Sequence, residues 1–394
     1  MDRAQARRAR PSARPVLWLT WIAFLVVLGV ATLATAEVGL RLRREWSAAH
    51  LRLPPQTDDR FVADRLLGYR NRPGYVYQST SRAGTIEHYT NNALGLRGPD
   101  ISRAKPPGVR RVVLLGGSTV YGALVDDSET ISVQLEALLR DRLGPNIQVI
   151  NAGVPGYVAL QEMLFGRSDL LDLGPDVLID LDGLNDVFYG SLQEWPSQIA
   201  SDELRIIAVG GLPEVVSIVD STMFPNGLLE HQLTMLGRNV RLSGFAAIHQ
   251  RPPAAPRIVN ERVIALHAVS LGLLARWARE AGVSVIAGLQ PLLATGHKPL
   301  SAEERAAVDY EGYWSEGGWQ QIALTMYPRL STTTQLAVQA EGGEFVDMTG
   351  VFDHEPGPTY AEDAVHYTPL GDRRLAEALA PLVVERLRHC DASA

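Results

Sequence analysis

From Arg111 onward, five short apolar runs alternate with longer stretches of helical periodicity, and this alternation constrains the fold more than any other feature. The runs are Arg111–Leu115, Gln148–Asn151, Val177–Asp182, Val283–Leu289 and Glu344–Met348. Apolar runs of this length, without polar alternation, read as strands buried on both faces. Between them, Ile131, Val133, Leu135, Leu138 and Leu139 mark one helical face, with Asp126 and Glu129 spaced like a capping box ahead of it. A second helix is expected over about Val158–Leu173. A third, about Asn260–Ala281, carries Val263, Ile264, Leu266, Val269, Leu273 and Trp277. Thr368-Pro369 supplies an N-cap and a first-turn proline for the last helix. Strands alternating with helices predict an α/β domain whose parallel sheet is covered on both sides.

Polar motifs follow four of the five runs. Gly116-Gly117-Ser118-Thr119 comes after the first, Asn151-Ala-Gly153-Val-Pro-Gly156 after the second, and Asp182-Gly183-Leu184-Asn185-Asp186 after the third. Asp363-Ala-Val-His366 comes after the fifth. Open α/β sheets bind ligands at the carboxyl ends of their strands, so these motifs are expected to converge. Each alone is a common turn sequence. Their joint occurrence at equivalent strand ends is the functional signal.

On these motifs the chain, from about Arg110 to its end, resembles the SGNH (GDSL-type) hydrolase superfamily. The usual Gly-Asp-Ser nucleophile block is here Gly-Gly-Ser-Thr, as in membrane-anchored members. The resemblance implies a flavodoxin-like three-layer α/β/α sandwich with a five-stranded parallel sheet in the order 2-1-3-4-5. It implies Ser118 as nucleophile, Asp363 and His366 as the rest of a triad, and Ser118, Gly153 and Asn185 as the oxyanion hole. The residue types suit that chemistry. A serine hydroxyl needs an adjacent base, imidazole titrates near neutrality, and a carboxylate three residues away fixes its tautomer. Oxyanion donors come from backbone N–H groups and an uncharged amide. Gly153 is expected to be a glycine because a side chain there would crowd the reacting carbonyl. His297, beyond the fourth strand, is a candidate for ligand contact, and Asn151 for tying the second loop.

The remainder frames this domain. Arg3, Arg7, Arg8, Arg10 and Arg14 precede an uncharged apolar run from Val16 to about Ala36, close to the ~20 residues that cross a bilayer. Ala34-Thr35-Ala36 resembles a signal-peptidase site, which keeps a cleaved signal as the alternative. The run is longer than the ~7–15 residues usual for a signal peptide and favours a retained anchor. The arginines ahead of it favour a cytoplasmic N-terminus with the catalytic portion outside. The chain divides into a basic tail (1–15), an anchor (16–36), a stalk and β-rich lead-in (37–108) and the hydrolase domain (109–394). In the lead-in, the phrase Asn91–Gly98 is a candidate loop near the site. An insertion at about 187–256 is too long for an ordinary connection and is expected to act as a lid.

A net charge of −7 over 394 residues argues against a nucleic-acid partner. One cysteine, Cys390, excludes an intrachain disulfide. No His, Asp or Glu group has recognisable ligand spacing, so no metal is expected, and no other cofactor is implied. The expected activity is that of a membrane-anchored serine esterase acting on an ester, an acylated glycan or a lipid through an acyl-enzyme. The alternatives are an O-acyltransferase working on an extracytoplasmic glycan and a glycan-binding protein without turnover.

Overall fold

A computed structural model describes residues 14–52, 58–81, 84–192, 205–207, 209, 212–224, 257–311 and 319–393. Its centre is a five-stranded parallel sheet formed by β5 (Arg110–Gly116), β6 (Ile147–Gly153), β7 (Val177–Asp182), β8 (Ser284–Leu289) and β9 (Glu344–Asp347), in the order β6-β5-β7-β8-β9. All five predicted strands are present. The order is the 2-1-3-4-5 arrangement of a flavodoxin-like sandwich. Gly116 pairs with Gly153 on one side and Leu181 on the other, so the carboxyl ends of β6, β5 and β7 finish within one residue of one another.

The sheet is buried on both faces because β5 alternates between two cores. Val113 and Leu115 join the core beneath α4 (Ala159–Phe165), α7 (Glu261–Glu280) and α9 (Trp319–Ala340). Val112 and Leu114 join the core beneath α3 (Ile131–Leu143) and α10 (Pro369–Ser393). Each fully buried Val or Leu contributes about 1.5–3 kcal/mol, so this strand resists displacement.

Local signals hold with one exception. Asn260 caps α7, its side chain accepting the Arg262 N–H at 3.2 Å, and Thr368 Oγ1 accepts the Gly371 N–H at 3.2 Å at the start of α10. Asp126 and Glu129 do not form a capping box. Thr130 is the N-cap of α3, and Asp126 closes its own turn on Ser128 while accepting the His88 N–H at 2.9 Å. The competing partner lies in the lead-in.

The lead-in holds two hairpins, β1 (Phe61–Asp64) with β2 (Gly68–Asn71) and β3 (Val76–Thr80) with β4 (Ile86–Thr90). They pack on the sheet's loops: Asn71 Nδ2 donates to Gly153 O at 3.0 Å, Tyr69 OH to Pro155 O at 2.8 Å, and Tyr157 OH to Tyr69 O at 2.5 Å. Ahead of them, α1 (Arg14–Ala49) spans 36 residues, about 54 Å. An 18-residue window of its segment from Leu17 has a mean hydropathy of 2.3, and none of that window is buried. The helix is long and apolar enough to cross a membrane.

The insertion begins later than expected. Residues 187–190 belong to α5 (Leu184–Gly190), and the excursion closes where Leu192 bridges Arg257 and the Ile258 N–H donates to Ser191 O at 2.8 Å. One helix within it, α6 (Pro213–Met223), packs on α7 through Arg276–Glu214 at 2.6 Å and reaches the end of α1 through Arg44–Asp220 at 2.7 Å. Residues 193–204 and 225–256, most of the expected lid, lie outside the described residues.

Candidate active site

β5 delivers Gly116 and Gly117 directly into α2 (Ser118–Tyr121). Both glycines are required by close approach. A Cβ on Gly116 would lie 2.6 Å from Leu181 O, and one on Gly117 would lie 2.6 Å from Asn185 Nδ2. Asn185 stands in the first turn of α5, half-buried, and its amide donates to Tyr157 O at 2.7 Å. Among the described residues the second amide hydrogen has no acceptor. The amide group is thereby held beside Gly117, adjacent to Ser118.

The fourth motif, after the fifth strand, closes on the same point. His366 Nε2 lies 2.7 Å from Ser118 Oγ, and His366 Nδ1 lies 2.5 Å from Asp363 Oδ2. Asp363 and His366 sit on a tight loop, not a helix, pinned where Tyr360 bridges Tyr367. Asp363 Oδ1 accepts the N–H groups of Val365 and His366, each at 3.0 Å. Ala364 takes φ 59° to make that turn, a left-handed conformation that costs a residue with a Cβ about 1–2 kcal/mol. Burial would raise the Asp363 carboxyl, but the His366 charge and these hydrogen bonds hold it well below the usual carboxylate range. Burial would lower His366, and Asp363 more than reverses that, so the imidazole titrates above its ordinary value. A hydroxyl, an imidazole and an ionised carboxylate thus stand in one hydrogen-bonded chain.

Gly153 has a different job from the one expected. Its N–H already donates to Asn151 Oδ1 at 3.0 Å. A Cβ there would fall 2.2 Å from Tyr121 N, so the missing side chain makes room for α2 and not for a reacting carbonyl. Three residues on, Val154-Pro155-Gly156-Tyr157 forms a type II turn, with the Tyr157 N–H on Val154 O at 3.1 Å and Gly156 at φ 82°. Among the described residues the N–H groups of Ser118 and Gly156 have no hydrogen-bond partner. For Ser118 this follows from its place in the first turn of a helix.

Two residues hold the far end of α2. Asn151 Nδ2 donates to Val120 O at 2.7 Å, so it ties α2 and not only its own loop, where its Oδ1 accepts the Gly153 N–H. Arg97, from the Asn91–Gly98 phrase, was not singled out for this role. Its guanidinium donates to Tyr121 O at 2.8 Å, Gly122 O at 2.5 Å, Val125 O at 2.8 Å and Asp127 Oδ1 at 2.8 Å. It lies 4.4 Å from the Tyr89 ring centre and 4.8 Å from that of Tyr121. A cation at the carboxyl end of the helix bearing Ser118 is electrostatically favourable. His297, by contrast, points outward: its side chain is 88% exposed and faces Asp353.

No family model and no curated protein sequence matches the chain. Solved structures do resemble it. An α/β hydrolase from the metagenome of Lake Arreo is 15% identical, with 69% of this chain and 94% of that one covered at a TM-score of 0.38. A lipase/acylhydrolase from Enterococcus faecalis is 17% identical, with coverage of 71% and 97% and the same TM-score of 0.38. A catalytic mutant of an acetylxylan esterase from Geobacillus stearothermophilus is 13% identical, with 70% and 94% covered, again at 0.38. At this level of superposition, the likenesses add nothing to the geometry of the site.

Proposed function

We propose that the chain is a membrane-anchored serine ester hydrolase of the SGNH type. The observation that carries this reading is the continuous contact from Ser118 Oγ to His366 Nε2 and from His366 Nδ1 to Asp363. His366 takes the Ser118 proton as the hydroxyl attacks an ester carbonyl, and then gives it to the departing alkoxide. Asp363 holds the ring in the Nδ1–H tautomer and stabilises the imidazolium. The oxyanion is received by the Ser118 N–H and the free hydrogen of the Asn185 amide. The Gly156 N–H takes the place first assigned to Gly153. Each such donor is worth about 10²–10³ in kcat. Water then repeats the attack on the acyl-enzyme, with His366 again the base.

Half-exposed Ser118 suits a small acyl group on a larger alcohol, such as an acylated glycan or lipid. Retention of α1 as a membrane anchor, with the domain on the outer side, completes the reading. Its support is the length and exposure of the helix together with the arginines that precede it.

The test is labelling of the detergent-solubilised full chain with a fluorophosphonate, followed by peptide mapping. The expected adduct is on Ser118 and disappears in His366→Ala. A wild-type protein that stays unlabelled and releases no acid from aryl acetates would remove the esterase reading.

A further inference from the structure

Beside the first turn of α5, which carries Asn185, four acids and a histidine are buried together. Asp180 and Asp182 come from β7, Asp186 from α5, Glu162 from α4 and His267 from α7, and none is more than 2% exposed. Both carboxylate oxygens of Glu162, Asp180 and Asp182 lack a hydrogen-bond donor, as does His267 Nε2 a partner. Asp186 alone has an ordinary bond, accepting the Ala159 N–H at 3.0 Å. Among the described residues no lysine or arginine pairs with any of the four acids. Such a concentration of negative charge cannot stay buried as it stands, because each uncompensated ion costs several kcal/mol. It must hold protons or a cation.

The geometry favours a cation. One oxygen each from Asp182 and Asp186 and one ring nitrogen of His267 lie within 4.8 Å of one another. Ligands about 2.1 Å from a common ion sit about 3–4.2 Å apart, so a contraction of at most about 0.6 Å would bring all three atoms onto one ion. Proton sharing alone leaves the histidine unexplained, since the ring forms no hydrogen bond to either carboxylate. Instead its Nδ1 lies 2.9 Å from Thr334 Oγ1. With the hydroxyl accepting from an Nδ1–H, the Nε2 lone pair is left for a metal.

We propose that Asp182, Asp186 and His267 bind a divalent transition cation, with Glu162 and Asp180 beside it. A mixed carboxylate and imidazole set suits Mn²⁺ or Zn²⁺ better than Ca²⁺ or Mg²⁺. The ion would pin the end of β7 to the first turn of α5 and to α7, a structural role independent of any reaction at Ser118.

The experiment uses the full chain purified in detergent without chelators. Elemental analysis is expected to find close to one divalent transition ion per chain. Exposure to EDTA followed by desalting should lower the melting temperature by at least about 3 °C, and added MnCl₂ or ZnCl₂ should restore it. Asp186→Asn keeps an acceptor for the Ala159 N–H but loses the anionic ligand, and its metal content should fall at least tenfold. If that variant does not fold, the melting shifts of the wild-type protein decide alone. A wild-type chain that takes up neither Mn²⁺ nor Zn²⁺, with a melting point indifferent to EDTA, would overturn the proposal and assign the cluster to shared protons.

Discussion

Replacing Asp363 by asparagine tests the proposed chemistry at its most specific point. Asp363 Oδ1 accepts two backbone N–H groups at 3.0 Å, so the asparagine carbonyl must take that position. The new NH₂ then occupies the place of Oδ2, facing His366 Nδ1 across a gap that is 2.5 Å in the wild type. Two donors cannot face each other there, so the ring shifts its proton to Nε2. An Nε2–H donates to Ser118 Oγ and cannot accept its proton. The fold is retained while the base is lost. The expected fall in kcat is about 10⁴-fold, or about 5.4 kcal/mol of barrier, with KM changed only a few-fold. Steady-state hydrolysis of an aryl acetate by full-length protein measures it, and fluorophosphonate labelling of Ser118 should slow in parallel. A variant within tenfold of wild-type kcat would refute the argument that Asp363 selects the tautomer.

Four further outcomes follow from the geometry. Arg97→Met removes the donor that serves Asp127 and four carbonyls and should destabilise the fold by about 3–5 kcal/mol in urea titration; a loss under 1 kcal/mol would mean the clamp is dispensable. Gly153→Ala brings a Cβ to 2.2 Å from Tyr121 N, a backbone atom that cannot yield like a side-chain tip, so stability should fall by at least about 1–3 kcal/mol with hydrolysis impaired. Raised His366 must be neutral to act, so kcat/KM should climb with pH through a value above 6.5; a profile flat from pH 5 to 9 would argue against a histidine base. In stability the signs are opposite for the two partners: the His366 contribution is complete below its unfolded value and fades as pH rises through the higher folded one, whereas that of Asp363 is present above 3.8 and fades only in strong acid. Full-length protein should sediment with membranes and a chain beginning at residue 50 should not, and an N-terminus found after Ala36 would replace the anchor by a cleaved signal.

What could be read in advance depended on whether the signal was local. Continuous apolar runs mark strands buried on both faces, and all five were found within two residues of their expected ends. Asp363 and His366 are three residues apart, so their pairing needs only a tight turn, and Ser118 follows its strand immediately. Arg97 was out of reach because its partners in and after α2 are carbonyls 24 to 28 positions away, and nothing in a sequence marks a carbonyl that needs a donor. The capping box failed for a related reason, since Asp126 is claimed by His88 from the lead-in. Gly153 and Gly156 stand three residues apart in one motif. The Pro155-Gly156 pair was a legible type II turn, but only the strand register reveals that α2 packs against Gly153. The acid cluster had a faint trace, two aspartates within the run Val177–Asp182, although the histidine that joins them lies 85 positions after Asp182.

The serine-bearing helix also explains why the lead-in is inseparable from the domain. A helix of four residues has no independent stability, and Ser118 cannot keep its distance to His366 unless both ends of that helix are fixed. The front end is set by β5, where the glycines press against Leu181 O and the Asn185 amide. The rear end is set by Asn151 from β6 and by Arg97, which arrives from the segment between the β3–β4 hairpin and the sheet. Arg97 is itself held between Tyr89 of β4 and Tyr121 of α2. The hairpin, the clamp and the serine are therefore one rigid unit. A segment whose composition reads as a stalk thus carries, in Arg97, a positioning residue for the candidate nucleophile.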